Sequence, residues 1–142
     1  MKSASTFAIV LALVTAFAAS AFASHAEGVM TSMMKARESL LALIESTDKS
    51  SQAGLQAEIA KATKEVDSKV KAALEDKATT KDELTKYKEF GEIWQAFKKT
   101  RDSEIIPAIK AGKTDAAKAL AKGVQAERFG KMKALLTSLG AK

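Results

Sequence analysis

The sequence predicts an all-α protein, an up-down-up-down antiparallel four-helix bundle, and two observations lead to this. Seven Gly and one Pro among 142 residues are too few for the many turns of a β-protein, whereas Ala, Lys, Glu and Leu, which favour helices, dominate. Apolar residues also recur at spacings of three and four along four successive segments. Because short connections join these segments, consecutive helices must run antiparallel.

Capping and breaking residues set the expected helix boundaries. Thr80 and Glu83 form a capping box at the start of the third helix, and Gly112 ends that helix. Thr114 and Asp115 are expected to cap the fourth, in which Val124 points inward. The expected boundaries are residues 27–46 and 52–76 for the first two helices, the Thr80 capping box to Gly112 for the third, and 115–139 for the fourth.

Two residues of the third helix depart from ordinary helix composition. Pro107 removes one backbone hydrogen bond, so we expect a kink there or a break confined to the last turns. Gly91 lies on the inward face, three residues before Trp94. Its missing side chain predicts either a packing notch or a place where a ligand approaches the backbone.

The N-terminal segment has the three parts of a secretory signal peptide. Lys2 supplies the positive start, an apolar run extends from Phe7 to Phe17, and Ala21-Phe22-Ala23 forms an A-x-A cleavage site. We therefore expect residues 1–23 to be removed, which leaves a periplasmic or secreted bacterial domain of residues 24–142. The alternative is an uncleaved anchor, since the segment is mostly apolar and about long enough to span a bilayer.

The composition excludes several classes of site. Without Cys, the chain has no disulfide, zinc-thiolate centre, cysteine nucleophile or covalent c-type haem. It has one His and no Ser-His-acid set, and most carboxylates lie beside Lys at solvated helical positions, so we do not expect an enzyme. The formal charge of +6 comes from lysines scattered among acids rather than from a basic stripe. We therefore expect no nucleic-acid partner.

The second half of the chain resembles a known family. The residues that carry the resemblance are Trp94, Phe97, Arg101-Asp102 and Ile105, then Ala111-Gly112-Lys113, and then Ala116-Ala117, Ala119-Leu120, Phe129, Met132, Leu135 and Leu139. They are similar to the four-helix-bundle periplasmic sensor domain of bacterial chemoreceptors, the methyl-accepting chemotaxis proteins. This implies an extracytoplasmic bundle that recognises small molecules in chemotaxis. We expect a free-standing module, whose partner is a second copy or a membrane sensor protein.

A weaker resemblance is to the soluble b-type four-helix-bundle cytochromes, such as cytochrome b562. It implies haem b held between a Met near the mature N-terminus and a His late in the fourth helix. Met30 lies at the right end of the bundle for the first ligand. Met132 stands about where the His is expected, so a haem here would be held by two thioethers.

The methionines of the first helix also suggest a copper site. Met30, Met33 and Met34 lie close together with His25 nearby, and thioethers of this kind hold copper(I). Met at helical spacing is also an ordinary filler of cores. The same residues therefore predict either a metal site or core packing.

The three arginines are candidate anion-binding residues. Arg37, Arg101 and Arg128 each lie between apolar neighbours on a different helix. A rise of about 1.5 Å per residue places them at a similar level of the bundle. Arginine forks that converge in a partly dry groove suit a carboxylate or a phosphate, for which Trp94 and Phe97 would form an apolar wall. The alternative is that nearby acids neutralise them within the bundle.

These patterns favour an exported module that binds a small anionic molecule near Arg37, Arg101 and Arg128 and carries no cofactor. One alternative is a haem or copper carrier that uses Met30, Met33, Met34 and Met132. A purely structural, partner-binding bundle is the other. Tyr87 and Phe90 share the spacing of Trp94 and Phe97, which fits core packing or a pocket for a ring.

Overall fold

A computed structural model describes the backbone from residue 7 and the side chains from residue 25 to the C-terminus. It contains four helical rods. The first is α1 (Phe7–Glu45) and the second is α2 (Lys49–Glu75). The third comprises α3 (Lys81–Thr100), a π-helical turn (Arg101–Ile105) and α4 (Ile106–Lys110), and the fourth comprises α5 (Thr114–Lys122) and α6 (Val124–Ser138).

The rods form the predicted four-helix bundle. The connections at residues 46–48, 76–80 and 111–113 are short, so each rod reverses the direction of the one before. Helix α1 packs against α2, α2 against α3, α3 against α6, and α6 against α1, which closes the ring. The prediction of an antiparallel all-α bundle is confirmed.

The predicted signal segment, residues 1–23, lies outside the residues whose side chains are described. The backbone of α1 continues through the expected cleavage point after Ala23. Within the described part of the chain, no helix combines the length and the apolar character needed to cross a membrane.

Side-chain caps set the starts of the second and third rods. Helix α2 begins three residues earlier than expected, because an Asp48 carboxylate oxygen accepts a hydrogen bond of 2.7 Å from the Ser51 backbone N–H. The predicted capping box of α3 is present, with the Glu83 N–H donating to Thr80 and the Thr80 N–H donating to Glu83. Gly112, at φ 72°, follows the third rod as predicted.

The third rod is interrupted near its end, before Pro107. The π-turn at Arg101–Ile105 shifts the backbone hydrogen bonding by one residue, so the Ile106 N–H donates to the Arg101 carbonyl. Pro107 then lies in the first turn of α4, where its missing N–H is tolerated. The expectation of a break confined to the last turns is confirmed.

Three predictions for the fourth rod are wrong. Thr114 and Asp115 do not cap it, since the helix begins at Thr114 and the preceding Lys113 makes no side-chain cap. The rod is also divided at Gly123, whose ψ of −109° is not helical. A Cβ at Gly123 would lie 3.0 Å from the Ala119 carbonyl oxygen, so glycine fits this tight break best. The break leaves Val124 38% exposed instead of inward.

Helix α1 is joined to α2 by polar contacts as well as by apolar packing. The hydroxyls of Ser32 and Ser39, both buried, donate to the Glu65 and Glu58 carboxylates at 3.1 Å each. The Lys69 ammonium donates to the Ser32 hydroxyl at 2.7 Å and to a backbone carbonyl of α1. Buried serines and their partners on α2 therefore satisfy one another along this seam.

The core fills the interior between the rods. Its largest fully buried side chains are Trp94, Tyr87, Phe90, Phe97, Met33, Leu40, Leu43, Ile105, Met132, Leu136, Val29 and Val66. Met34 is 49% exposed, so it lies off the apolar face expected for the first helix. The aromatic stripe of α3 and the apolar face of α1 supply most of the bulk.

Candidate functional site

An open groove of about 520 Å³ lies between the second and third rods. We call it the α2–α3 groove. It is lined by Asp67, Val70, Lys71 and Leu74 of α2 and by Tyr87, Lys88, Gly91, Glu92, Trp94 and Gln95 of α3. Its volume is in the range of small-molecule sites, which are typically about 300 to 1,000 Å³ with an apolar lining and a few polar groups.

Gly91 keeps the groove open. A Cβ built on Gly91 has no heavy atom within 4 Å, so the backbone of α3 faces open space at this point. A larger side chain on this face of the helix would project into the space between α2 and α3. Of the two expectations for Gly91, the structure supports the place of approach rather than the packing notch.

Asp67 of α2 forms hydrogen bonds to two residues of α3 at one end of the groove. One of its carboxylate oxygens accepts a 2.8 Å hydrogen bond from the Trp94 indole N–H and another of 2.8 Å from the Lys98 ammonium. The Lys98 nitrogen also lies 5.8 Å from the Trp94 ring centroid. Trp94 is therefore held in one orientation, with an edge in the groove and its indole nitrogen satisfied.

The other aromatic residues support Trp94 from the core. Phe90 and Phe97 stack on either side of it, with ring centroids at 6.4 and 5.5 Å. Both are fully buried and lie behind Trp94 rather than in the groove lining. Of the four aromatic residues considered as a pocket for a ring, Trp94 and Tyr87 line the groove.

The rim of the groove carries charges of both signs. Asp67 is already paired with Lys98, and Lys71 lies 3.8 Å from Glu75 in an exposed ion pair. Among the described residues, Lys88 and Glu92 have no ion-pair partner. By this measure the rim offers one unpaired ammonium, that of Lys88, and one unpaired carboxylate, that of Glu92, so the unpaired charges are balanced. Neither Lys71 nor Lys88 was singled out from the sequence, since both lie at ordinary solvated helix positions.

Tyr87 forms part of the groove lining and is 1% exposed. Its hydroxyl has no hydrogen-bond partner among the described residues. Burial, with the nearby Glu83 carboxylate as a smaller cause, raises the pKa of Tyr87 to about 12. The hydroxyl is therefore protonated at any physiological pH.

Arg101 is committed to contacts within the bundle. Although it lies in the core at 4% exposure, its guanidinium donates to both carboxylate oxygens of Asp102 at 2.7 and 3.1 Å and to the Thr63 hydroxyl at 2.7 Å. The acid that neutralises it is its own neighbour in sequence. Arg101 therefore faces α2, with its charge paired and three of its five N–H donors in hydrogen bonds.

The guanidinium groups of the other two arginines lie on opposite sides of α6. Arg37 stacks its guanidinium 4.4 Å from the Phe129 ring centroid, on the seam between α1 and α6. Arg128 donates to the Ala96 carbonyl and to two neutral side chains, on the seam between α3 and α6. Neither has a carboxylate partner among the described residues.

The three arginines share a level of the bundle but do not share a site. Arg37 contacts Phe129, the neighbour of Arg128, and Arg128 contacts Thr100, the neighbour of Arg101. Their head groups nevertheless lie on different seams because α6 stands between Arg37 and Arg128. The contacts do not bring them to one partner, and their role in ligand binding stays a prediction.

The methionines predicted as copper or haem ligands are divided between the core and the surface. Met30, Met33 and Met132 are buried, whereas Met34 is exposed. The His25 ring nitrogen lies 3.0 Å from the Asp76 carboxylate, so this contact links α1 to the C-terminal end of α2. His25 therefore contacts an acid rather than the methionines. The described residues contain no group of three or more His, Asp or Glu side chains suited to a metal ion.

Comparison with known proteins assigns the chain to a family. Residues 23–141 match the family described as a four helix bundle sensory module for signal transduction. The chain belongs to this family. The match confirms the resemblance to chemoreceptor sensor domains and extends it from the second half of the chain to the whole bundle. No curated protein and no solved structure matches the chain.

For this sensory module we predict a specific role of Thr63 in stability. Thr63→Val leaves a donor of the buried Arg101 guanidinium without an acceptor, so the free energy of unfolding should fall by about 1–3 kcal/mol. Thr63→Ser keeps the hydroxyl and is the matched control. Urea unfolding followed by circular dichroism measures both, and equal losses in the two variants would contradict the assignment.

Proposed function

We propose that the protein is an exported, sensor-like module that binds a small anionic molecule with an apolar body in the α2–α3 groove. The observation that carries this proposal is the groove itself, with Gly91 leaving room beside Trp94. Membership of a sensory family, rather than of an enzyme family, supports binding without catalysis.

Two lysines at the rim of the groove supply the positive charge that the proposed anion requires. The apolar floor of Val70, Leu74 and Tyr87 would cover the body of the molecule, and Lys71 and Lys88 at the rim would face its charge. Asp67 is occupied by Lys98 and by the Trp94 indole, so it does not repel an anion as a free carboxylate would. The expected anion site thus shifts from the arginines to lysines, with Trp94 retained as part of the wall.

The N-terminal sequence supports export. A positive start, an apolar run and the A-x-A site Ala21-Phe22-Ala23 are the features of a signal peptide, and sensory modules of chemoreceptors are extracytoplasmic. The proposed mature protein begins at Ser24 and passes its binding state to a membrane sensor protein or to a second copy.

The groove predicts opposite behaviour of two substitutions at Gly91. Gly91→Ala adds a Cβ to open space and should raise the unfolding free energy by up to about 1 kcal/mol while leaving binding intact. Benzoate, a small anion with an apolar body, serves as the probe. Gly91→Met fills the groove and should weaken benzoate binding by about tenfold or more. Trp94, the single tryptophan, reports binding by its fluorescence. Equal benzoate affinity in all three proteins would overturn the groove as the site.

The rim lysines should determine the preference for an anion. Lys71→Gln and Lys88→Gln should each lower benzoate affinity about two- to fivefold and reduce its dependence on salt. Lys133→Gln, an exposed lysine of α6, changes the net charge equally and should have no effect. If Arg37→Gln or Arg128→Gln weakens binding while the lysine variants do not, the anion site belongs to the arginine seams.

A haem or copper carrier is the second candidate, because Met30, Met33 and Met132 are buried on two packed helices. Thioethers on facing helices suit copper(I), and a pair of them can ligate haem iron.

Native mass spectrometry of the protein from the extracytoplasmic fraction of its host separates these proposals. We expect a mass that starts at Ser24 without haem or copper. An added haem, or copper that Met30→Leu and Met132→Leu remove, would favour the carrier. A mass that still contains residues 1–23 would mean an anchored module.

A further inference from the structure

One buried polar group stands apart from all the others in the described part of the chain. The side chains of Ser32, Ser39, Thr79 and Gln125 are buried and each has a hydrogen-bond partner. Only the Tyr87 hydroxyl among the described residues is buried without one. Leaving a buried hydroxyl unpaired is unfavourable, so such a group in a folded protein calls for a physical reason.

The position of Tyr87 supplies a reason. The same residue lines the α2–α3 groove, one helical turn before Gly91 and next to Lys88 at the rim. A tyrosine that only filled the core could be replaced by phenylalanine, which has the same ring and no polar atom to satisfy. The residue that carries the unpaired donor thus lines the α2–α3 groove, where a small molecule has room.

We propose that the Tyr87 hydroxyl selects the ligand by donating a hydrogen bond to it, and that the ligand is a ring-bearing acid with a second oxygen acceptor. This inference rests on the proposed function of the groove. The ring would lie on the apolar floor, the carboxylate at Lys71 and Lys88, and the second oxygen near Tyr87.

Two properties of Tyr87 fit this role. Its raised pKa keeps the hydroxyl protonated, so it can always donate. Its oxygen is covered in this structure, so donation to a ligand requires a side-chain rearrangement at the groove floor, which is common when binding sites fill.

The experiment compares two probes of nearly equal shape. 4-Hydroxybenzoate carries an oxygen acceptor opposite its carboxylate, and 4-methylbenzoate carries a methyl group there. The native protein should bind 4-hydroxybenzoate about 3- to 10-fold more tightly, which is the effect of one neutral hydrogen bond. Tyr87→Phe should bind both probes with the affinity that the native protein has for 4-methylbenzoate.

Stability distinguishes this role from a structural one. Because the hydroxyl has no partner in the protein, Tyr87→Phe should unfold at the same temperature as the native protein or at a higher one. Lys88→Gln is the matched control, since it should weaken both probes equally and leave their affinity ratio unchanged. A lower melting temperature for Tyr87→Phe would show that the hydroxyl has a structural partner and would overturn the proposal.

The remaining outcomes separate the inference from the proposed function. If the native protein binds both probes equally, or if Tyr87→Phe keeps the preference, Tyr87 does not select the ligand and the groove remains a site for an anion. If neither probe binds to the native protein while Gly91→Met leaves all binding of benzoate unchanged, both the inference and the proposed function are wrong.

Discussion

The carboxylate of Asp67 is the contact on which the geometry of the groove depends. By accepting from both the Trp94 indole and the Lys98 ammonium, it fixes the orientation of α3 against α2 where the two helices meet. Trp94 is stacked between Phe90 and Phe97, so the same contact positions the central aromatic cluster of the core. Beyond this point Gly91 contributes no side chain, and the two helices leave the groove open. One exposed acid thus links the order of the core to the shape of a surface site.

Much of the fold could be predicted because local chemistry sets it. The capping box of Thr80 and the helix end at Gly112 depend on neighbouring residues alone, and both were predicted. The break at Gly123 was missed because glycine is tolerated inside helices, and the tight approach to the Ala119 carbonyl exists only in the folded chain. The π-turn was placed only roughly, since Pro107 signals an interruption but not the residue at which hydrogen bonding shifts.

The site was harder to predict because it depends on contacts between helices. Arg101 was correctly expected within the apolar stripe, but the acid that neutralises it is Asp102, its neighbour in sequence. Spacing along a helix gives the level of a side chain well and its direction poorly, so three arginines at one level lie on three seams. Gly91 and Trp94 gave the useful signal for the groove, because a missing side chain beside a large one leaves space.

The bonded serines of α1 have a consequence for how the bundle can move. Ser32 and Ser39 are seven residues apart, and so are their partners Glu65 and Glu58. Sliding of α1 along α2 by a single helical turn would break both contacts at once and leave two buried hydroxyls without acceptors. These two hydrogen bonds therefore fix the register of α1 against α2 in the first helical hairpin. The third and fourth rods are also joined by buried polar contacts, but a π-turn and a glycine break interrupt their helices.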